Sequence, residues 1–320
     1  MVPEGAALVR QALTLANCVA LLAGVVMVAM LSPSSGPDCV TWNCCDQALF
    51  AEAARAADPY TVRGVHGLEL PWAYPPWATP ILWLYRLPHA GALLAAFSTG
   101  LFLWAGTRAD RFTTALIAAM GGWTFFNALL GQTGLLIGAG ALMVAASRRD
   151  RDMVLGAVGW ALVMLKPQYG LILAFALPWR SLMLGTLLLL GASLPNPDLL
   201  GWVDAVLAPH PELDAAYMVN HAVLLPTAAY RWPIFLVGLA LAPLLRRRLG
   251  ALVALALFVS PHAHPYDLAL WAVVALDRPR LLLGLGGLAH LCLFTGLRFV
   301  LPIADIGLLA MSLRGEPTSR

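Results

Sequence analysis

Two kinds of ionisable side chain in this sequence could do chemistry: a group of carboxylates in one polar stretch, and the only lysine of the chain, Lys166. The stretch covers residues 38–80 and interrupts a chain that is otherwise mostly apolar. Its carboxylates are Asp38, Asp46, Glu52, Asp58 and Glu69. A carboxylate can act as a general base, and an ammonium group can bind a phosphate as a point charge. These are the two kinds of chemistry that the residue types indicate.

Asp46 begins a short amphipathic pattern that runs to Tyr60. Aspartate is a preferred helix N-cap and Asp58-Pro59 is a typical stop signal, so the sequence predicts a short helix between them. The plain interpretation of Asp46 is an N-cap, and that role is compatible with general-base catalysis. Arg55 and Arg63 add positive charge to the same stretch.

Lys166 closes an apolar run and is followed by Pro167, which favours a helix end there. A lysine at mid-bilayer costs roughly 2.5 to 3.5 kcal/mol, and much less if its ammonium reaches the interface. Two interpretations stay open, an interfacial anchor and a phosphate ligand. We favour the phosphate ligand, because the other turns of the chain use arginine where an anchor would serve.

Further polar side chains occur close to the ends of the apolar runs. We interpret them as the lining of a substrate cavity: Tyr60, Tyr74, Gln132, Asn220, His262, His264 and Tyr266. The segment 131–134 alone is more typical of a plain turn. The two histidines are two residues apart and share no helical face, so they do not indicate a metal site. We expect neither a metal nor a cofactor. A divalent cation is an alternative, but no residue pattern in the sequence indicates one.

The composition places these residues in a membrane protein. The chain has 320 residues, 60% hydrophobic and 12% charged, with a mean hydropathy of +0.77. Soluble domains are about half apolar and a quarter charged. The net charge of +3 comes from arginine clusters between apolar runs, such as Arg148-Arg149 and 246–248. Such clusters are typical of topology signals, and we expect no nucleic-acid partner.

The apolar runs predict an all-α fold: a polytopic transmembrane bundle of about 10 to 13 helices, in one integral membrane domain over residues 1–320. The run 12–33 fits a retained first helix better than a cleaved signal. The arginine-rich turns favour the cytoplasm, which puts outer loop 1 at 34–75 and outer loop 2 at 195–227 on the opposite side. Both outer loops are expected to carry short interfacial helices.

Two structural alternatives stay open at this point. Residues 76–106 contain either one membrane crossing, which the arginines after them favour, or two short helices. The three cysteines of outer loop 1 form one disulfide or none: Cys39, Cys44 and Cys45.

Several motifs, taken in order, resemble one family of membrane enzymes. They are Asp46 with Ala53-Ala54-Arg55, Asp58-Pro59-Tyr60, Tyr74-Pro75-Pro76, Gly131-Gln132, Lys166-Pro167, Asn220 and Ser260-Pro261. From Asp46 to about Leu276 the chain is similar to glycosyltransferase family 87, the polyprenyl-phosphate-mannose-dependent alpha-mannosyltransferase-like group of the C-type superfamily. Phe50, Gly134 and Tyr266 depart from the family pattern, in which tyrosine, asparagine and histidine are usual.

The resemblance implies transfer of mannose or another hexose from a polyprenyl-phosphate sugar donor to a glycolipid or glycan acceptor by a single inverting displacement. It implies that Asp46 is the general base. Lys166, with Arg55 and Arg63, is then expected to bind the donor phosphate. The implied location is the bacterial plasma membrane, where membrane lipid surrounds the protein. The active site is then expected to face the periplasm or the extracellular side.

Two other functions fit the same sequence. A multi-pass transporter or lipid flippase would line a substrate path with polar outer turns. Such proteins often have internal repeats and ionisable residues deep within several helices. Here the ionisable residues lie mainly at the ends of the apolar runs, which favours catalysis. A non-catalytic assembly factor with the same fold is the third interpretation.

Overall fold

The computed structural model describes residues 4–31, 46–62, 74–207, 230–295 and 297–314. In these ranges all regular secondary structure is helical, which confirms the predicted all-α class. Some predicted site residues lie outside the described residues: Arg63, Asn220, Cys39, Cys44, Cys45 and the side chain of Asp46.

The helices are taken in chain order. The first eight are α1 (Glu4–Leu31), α2 (Asp46–Arg55), α3 (Thr79–Leu84), α4 (Ala90–Arg108), α5 (Phe112–Ala119), α6 (Gly122–Leu130), α7 (Gly134–Asp150) and α8 (Met153–Val163). They continue with α9 (Pro167–Leu173), α10 (Trp179–Ser193), α11 (Leu199–Leu207), α12 (Arg231–Leu241), α13 (Leu249–Val259), α14 (Trp271–Val274), α15 (Pro279–Thr295) and α16 (Leu301–Arg314). Short 3-10 segments flank them at Pro59–Thr61, Pro76–Ala78, Ala174–Ala176, Ala242–Leu245, Pro265–Leu270 and Arg298–Val300.

Local sequence signals explain several of these boundaries. Pro167 and Pro279 open α9 and α15, where a missing backbone N–H breaks no helical hydrogen bond. The Asp152 carboxylate caps α8 by accepting a hydrogen bond from the backbone N–H of Leu155 at 2.9 Å. Gly131 follows α6 with a φ of 64°, a left-handed conformation that favours glycine.

The long helices run between two ends of the molecule, and α7 shows the direction. Its first residue, Gly134, lies against the carbonyl of Tyr266. Near its other end, Arg149 donates a hydrogen bond of 2.8 Å to the carbonyl of Arg108. A helix of 17 residues separates these ends by roughly 25 Å. We call them the Lys166 end, with the turns 127–134, 164–167 and 260–267, and the Arg149 end, with the turns 108–111, 148–152 and 275–279.

Most of the described helices are shorter than a bilayer is thick. The helix α4, with 19 residues, is long and apolar enough to cross a membrane by itself, and α5 with α6 qualifies as one broken span. Other apolar helices have 10 to 17 residues. Breaks such as the one between α5 and α6 divide the apolar runs, so the polytopic arrangement stays a prediction.

Residues 76–106 contain one long helix. The six-residue α3 rises only about 9 Å, which is too short to cross a bilayer. The chain then turns at 85–89, and α4 begins at Ala90. Of the two alternatives from the sequence, a single crossing fits these helix lengths.

The core of the bundle surrounds α7. This helix packs against α4, against α8 and against the segment Pro265–Leu270. Gly140 of α7 and Gly159 of α8 face each other so closely that a Cβ atom on either would collide with the other's carbonyl. Small residues of this kind let two helix backbones approach. The packing on several sides positions Gly134, the start of α7, at the Lys166 end.

Candidate functional site

A buried ion pair lies at the centre of the Lys166 end. The Lys166 Nζ atom is 2.8 Å from one carboxylate oxygen of Asp267 and 2.7 Å from the other. Asp267 is completely buried and Lys166 is 8% exposed. A charge in such surroundings is strongly unfavourable without its partner. The sequence predicted a functional Lys166, but it did not single out Asp267.

Asp267 has further hydrogen-bond donors in addition to the ammonium. The Tyr169 hydroxyl donates to its Oδ2 atom at 2.8 Å, and the backbone N–H of His264 donates to the same atom at 3.0 Å. These bonds come from α9 and from the turn before Pro265. Because several donors converge on one carboxylate, its position is strongly determined, and it in turn determines the direction of Lys166.

Two aromatic rings cover the ion pair. The Lys166 ammonium lies 4.5 Å from the centre of the Tyr266 ring, a cation–π contact. The His264 ring stacks on Tyr266, with centroids 5.1 Å apart. Burial, followed by the charge of Lys166, holds the pKa of His264 well below its usual range. His264 is therefore a neutral side chain at pH 7, which can donate or accept a hydrogen bond.

The segment around Asp267 shows which sequence signal was missed. Pro265 opens a 3-10 segment, and Asp267 is the third residue of that segment. An acidic residue at this position often bonds back to the N–H of the residue before the segment, here His264. The pattern His264-Pro265-Tyr266-Asp267 is therefore a capping signal. It could have indicated where the Asp267 carboxylate points, but not that Lys166 lies opposite.

A second polar group joins the first outer loop to the turn after α6. The Tyr74 hydroxyl donates to the Gln132 Oε1 atom at 2.5 Å and accepts from the Thr133 hydroxyl at 3.1 Å. The Tyr60 hydroxyl donates to the Tyr74 carbonyl at 3.0 Å. Three predicted cavity residues, Tyr60, Tyr74 and Gln132, are thus linked by hydrogen bonds. Phe50, at one of the departures from the family pattern, packs its ring edge-on against Tyr74.

The helix that begins at Asp46 is attached to the same turn. The Gln47 side chain donates hydrogen bonds to the carbonyls of Ala128 and Leu129, at 3.1 and 3.0 Å. Carbonyls in the last turn of a helix lack intrahelical partners, so Gln47 caps α6. Gln47 directly follows Asp46, and the first turn of α2 is thereby held beside Gly131.

Asn127 connects the two polar groups. Its amide nitrogen donates to the carbonyl of Tyr266 at 3.2 Å, and its amide oxygen accepts from the N–H of Leu135 at 3.3 Å. Gly134 lies so close to the Tyr266 carbonyl that any side chain there would collide with it. This contact explains why position 134 is a glycine.

The helix α11, in the segment predicted as outer loop 2, also lies at this end of the molecule. The Trp77 indole donates to the carbonyl of Met164 at 2.7 Å, and its ring lies 5.7 Å from that of Trp202 in α11. Burial, followed by the charges of Asp198 and Asp58, raises the pKa of Tyr60 above its usual range. The start of α11 therefore lies close to Tyr60.

Of the two arginines that the sequence predicted at this site, Arg63 lies outside the described residues. Arg55 is exposed on the last turn of α2. Arg231, which the sequence reasoning passed over, is the first residue of α12 and is 5% exposed. Its charge contributes to the lowered pKa of His264, and the neighbouring Trp232 ring lies 6.4 Å from that of His262. The signal for Arg231 was its place at the start of an apolar run.

No group of three or more His, Cys, Asp or Glu residues in the described part of the chain could hold a metal ion. A pocket of about 470 Å³ lies at the Arg149 end, lined by residues 110–114 and 276–277 with Thr107 and Pro279. It is roughly the length of α7 away from Lys166 and forms no part of the candidate site.

Comparison of the chain with protein-family models, with curated proteins and with solved structures found no match. The resemblance to glycosyltransferase family 87 therefore rests on the motifs quoted above.

Proposed function

We propose that this protein is a polyprenyl-phosphate-sugar-dependent glycosyltransferase that transfers mannose or another hexose to a cell-envelope acceptor. The observation that carries the proposal is the convergence of distant polar segments at the Lys166 end. The Lys166–Asp267 pair, the Tyr74–Gln132 hydrogen bond and the helix that begins at Asp46 all meet there. An inverting displacement in which a phosphate is the leaving group requires a general base and a cation at the same end of the protein.

Asp46 acts as the general base in this mechanism. It takes the proton of the acceptor hydroxyl, whose oxygen forms a bond to the anomeric carbon of the sugar. The bond from that carbon to the phosphate oxygen breaks, and the polyprenyl phosphate leaves with the electron pair. A positively charged group beside the phosphate lowers the free energy of the transition state.

Lys166 supplies that positive charge, and Asp267 is its positioning residue. The ammonium sits on a flexible stem of four carbons, which costs conformational entropy to hold in one place. The two short contacts to Asp267 and the ring of Tyr266 restrict it. Lys166 is thus directed before a substrate arrives.

The bundle surface supports a location in the membrane. Large apolar side chains point outward from α4, α10, α12 and α16, each at least 60% exposed. Examples are Phe97, Leu187, Leu190, Leu236, Val237 and Ile303. Soluble monomers rarely expose such wide apolar surface. The arginine-rich Arg149 end favours the cytoplasm, and the Lys166 end then faces the periplasm or the extracellular side.

The direct experiment supplies membranes that contain the protein with a panel of radiolabelled polyprenyl-phosphate sugars and analyses the products, with and without chelator. The native protein should give a labelled product with one of the donors. Asp46→Asn should lower the rate by at least about 100-fold, the usual size of a lost general base. Glu52→Gln, an exposed acid of the same helix, is the matched control and should keep normal activity.

Asp46→Asn must be present in the membrane at the native level for the comparison to count. Full transfer by this variant would remove Asp46 from the mechanism. If the variant also complements a deletion fully, the assembly-factor interpretation is favoured instead.

A transporter or lipid flippase is the second candidate, and one observation favours it. Asp305 lies one turn inside α16 and is 1% exposed. Its Oδ1 atom accepts from the Trp271 indole at 2.8 Å, and Oδ2 has no hydrogen-bond partner among the described residues. Buried ionisable groups inside helices are typical of transporters. Movement of a lipid-linked sugar across liposomes by the purified protein, without any transfer product, would support this function.

A further inference from the structure

The arginines at the Arg149 end differ in whether they have an acidic partner. Three of them lie within 4 Å of a carboxylate, in the pairs Arg108–Asp150, Arg108–Asp152, Arg111–Asp277 and Arg149–Asp150. These pairs are partly exposed to water, so both solvent and the opposite charge compensate the three guanidinium groups. Any uncompensated positive charge at this end comes from other arginines.

Four further arginines lie on the side of α7 that faces the turn before α13. Arg148, near the end of α7, donates a hydrogen bond of 3.1 Å from its Nη2 atom to the carbonyl of Arg247. In the described part of the chain, none of the four forms an ion pair with a carboxylate. We call them the basic patch: Arg148, Arg246, Arg247 and Arg248.

Arg148 carries its charge in partly buried surroundings, whereas Arg246 and Arg247 are exposed. The Nη1 atom of Arg148 is shielded from water and has no hydrogen-bond partner among the described residues. Burial lowers the pKa of the Arg148 guanidinium below its usual range, but an arginine stays charged at pH 7. A charge that is partly removed from water without a counter-charge is unfavourable, and an anion beside it would offset that cost.

Apolar surface adjoins the basic patch. Leu241 and Leu244 precede Arg246 by five and two residues and are 45% and 78% exposed. A phospholipid combines the same two properties, because its acyl chains are apolar and its phosphate lies at the membrane surface. Basic clusters next to an apolar surface are typical sites for anionic headgroups on the cytoplasmic side. A water-soluble anion would need the arginines but not the exposed leucines.

We propose that the basic patch binds the phosphate of an anionic phospholipid, whose acyl chains lie against Leu241 and Leu244. The exposed Arg246 and Arg247 contact the headgroup. Arg148 holds their turn through the carbonyl of Arg247 and adds its uncompensated charge from the protein side. The inference rests on the proposed membrane location of the protein, but not on sugar transfer.

The test measures thermal unfolding of the purified full-length protein in mixed micelles, followed by tryptophan fluorescence. Phosphatidylglycerol and phosphatidylcholine are titrated separately, and the shift of the midpoint with lipid concentration gives each affinity. Phosphatidylglycerol should stabilise the native protein at lower concentration, since the phosphatidylcholine headgroup has no net charge. Arg148→Gln should weaken the affinity for phosphatidylglycerol by at least about fivefold, the effect of one basic residue at a membrane surface. Its affinity for phosphatidylcholine should stay unchanged.

Arg149→Gln is the matched control. It removes the same charge from the neighbouring residue, but the Arg149 side chain already pairs with Asp150 and is 49% exposed. Its affinity for phosphatidylglycerol should therefore fall by less than about twofold. Arg247→Gln tests the patch at an exposed side chain and should weaken binding by about fivefold. It replaces Arg148→Gln if that variant does not fold.

Native affinity for phosphatidylglycerol in either Arg148→Gln or Arg247→Gln would overturn the proposal. So would an equal loss in Arg149→Gln, because only the net charge of the Arg149 end would then matter. Glycerol 3-phosphate is the probe for a soluble phosphate ester. If it stabilised the native protein at the same concentration as phosphatidylglycerol, and Arg148→Gln lost this effect, a lipid would be excluded as the specific ligand.

Failure of this inference can be told from failure of the proposed function. Preferential stabilisation by phosphatidylglycerol that depends on Arg148, without sugar transfer from any donor, would support the lipid site and contradict the glycosyltransferase. Sugar transfer by a protein that phosphatidylglycerol and phosphatidylcholine stabilise equally would support the enzyme and overturn the lipid site. A protein that stays soluble and folded without detergent or lipid would contradict the membrane location on which the lipid site rests.

Discussion

The two ends of the bundle contain the same kind of contact in different surroundings. At the Lys166 end, the side chains of Lys166 and Asp267 are 10% and 0% exposed. At the Arg149 end, those of Arg111 and Asp277 are 40% and 60% exposed, although their hydrogen bond of 2.6 Å is at least as short. Geometry alone therefore does not distinguish the two pairs, but exposure to solvent does.

The difference in exposure changes what each ion pair contributes to stability. Water reaches both Arg111 and Asp277 at the Arg149 end, so this pair has little effect on stability. Removing Lys166 and Asp267 from water costs free energy that their attraction only partly returns. If the protein did not need this ion pair for function, replacing both of its residues by apolar ones would raise the free energy of unfolding. This expectation can be tested.

The largest effect is expected from breaking the buried pair. Lys166→Met leaves a buried carboxylate without its cation, and Asp267→Leu leaves a buried cation. Each should lower the free energy of unfolding by about 3 to 5 kcal/mol. The double variant, with two apolar residues, should recover most of that loss. Thermal unfolding of the purified protein, followed by tryptophan fluorescence, measures all three.

Activity then separates stability from function. The double variant should be stable but inactive in sugar transfer, because Lys166 is absent. A double variant with normal transfer would show that the pair is structural only, and the buried and exposed pairs would then differ only in energy.

A backbone substitution at the Lys166 end comes next in size. Gly131→Ala puts a side chain on a residue with a φ of 64°, where its Cβ would also collide with the Tyr85 hydroxyl. We expect the free energy of unfolding to fall by at least about 1 to 2 kcal/mol, because an alanine is strained in the left-handed conformation. Gly100→Ala is the control, since no atom lies within 4 Å of the added Cβ. That variant should gain about 0.5 to 1 kcal/mol of helix stability.

A side-chain hydrogen bond at the same end should matter less. Tyr74→Phe removes the bond to the Gln132 side chain and the acceptor for Thr133. The free energy of unfolding should fall by about 1 to 3 kcal/mol. The lower value is expected if water reaches the polar atoms that lose their partner. Urea unfolding of Tyr74→Phe and of Gln132→Leu, singly and together, would measure the coupling. Additive losses would mean that these two residues do not interact in solution.

The smallest effect is expected at the Arg149 end. Arg111→Gln and Asp277→Asn break an exposed pair, and each should change the free energy of unfolding by less than about 1 kcal/mol. Raising the salt concentration should reduce even this difference. A loss as large as that of Lys166→Met would mean that burial is not what separates the two ends.

Local sequence signals predicted several elements of the site well. The short helix at Asp46, the turn at Gly131 and the helix end before Pro167 all follow from nearby glycine, proline and capping residues. The structure ends the first of these at Arg55, three residues before Asp58, which instead caps the segment Pro59–Thr61. Such features depend on a few adjacent residues, so they can be predicted without knowledge of the fold.

The pairing of distant side chains could not be predicted from local sequence signals. Arg55 and Arg231 are both arginines near helix ends, but only Arg231 is buried at the Lys166 end. Asp267 lies in a turn that the sequence treated as polar lining, and its partner is 101 residues away. No local pattern states which of several polar turns will meet.

Composition and helix signals by themselves determined that this chain is helical, apolar on the outside and divided by polar turns, because these properties depend on residue type and short-range spacing. Only the tertiary structure decided that Lys166 faces Asp267, that Gln47 attaches the Asp46 helix to α6, and that Arg231 is buried beside them. The physical reason is that the energy of a charge depends on its surroundings. Those surroundings come from helices that are far apart in the chain.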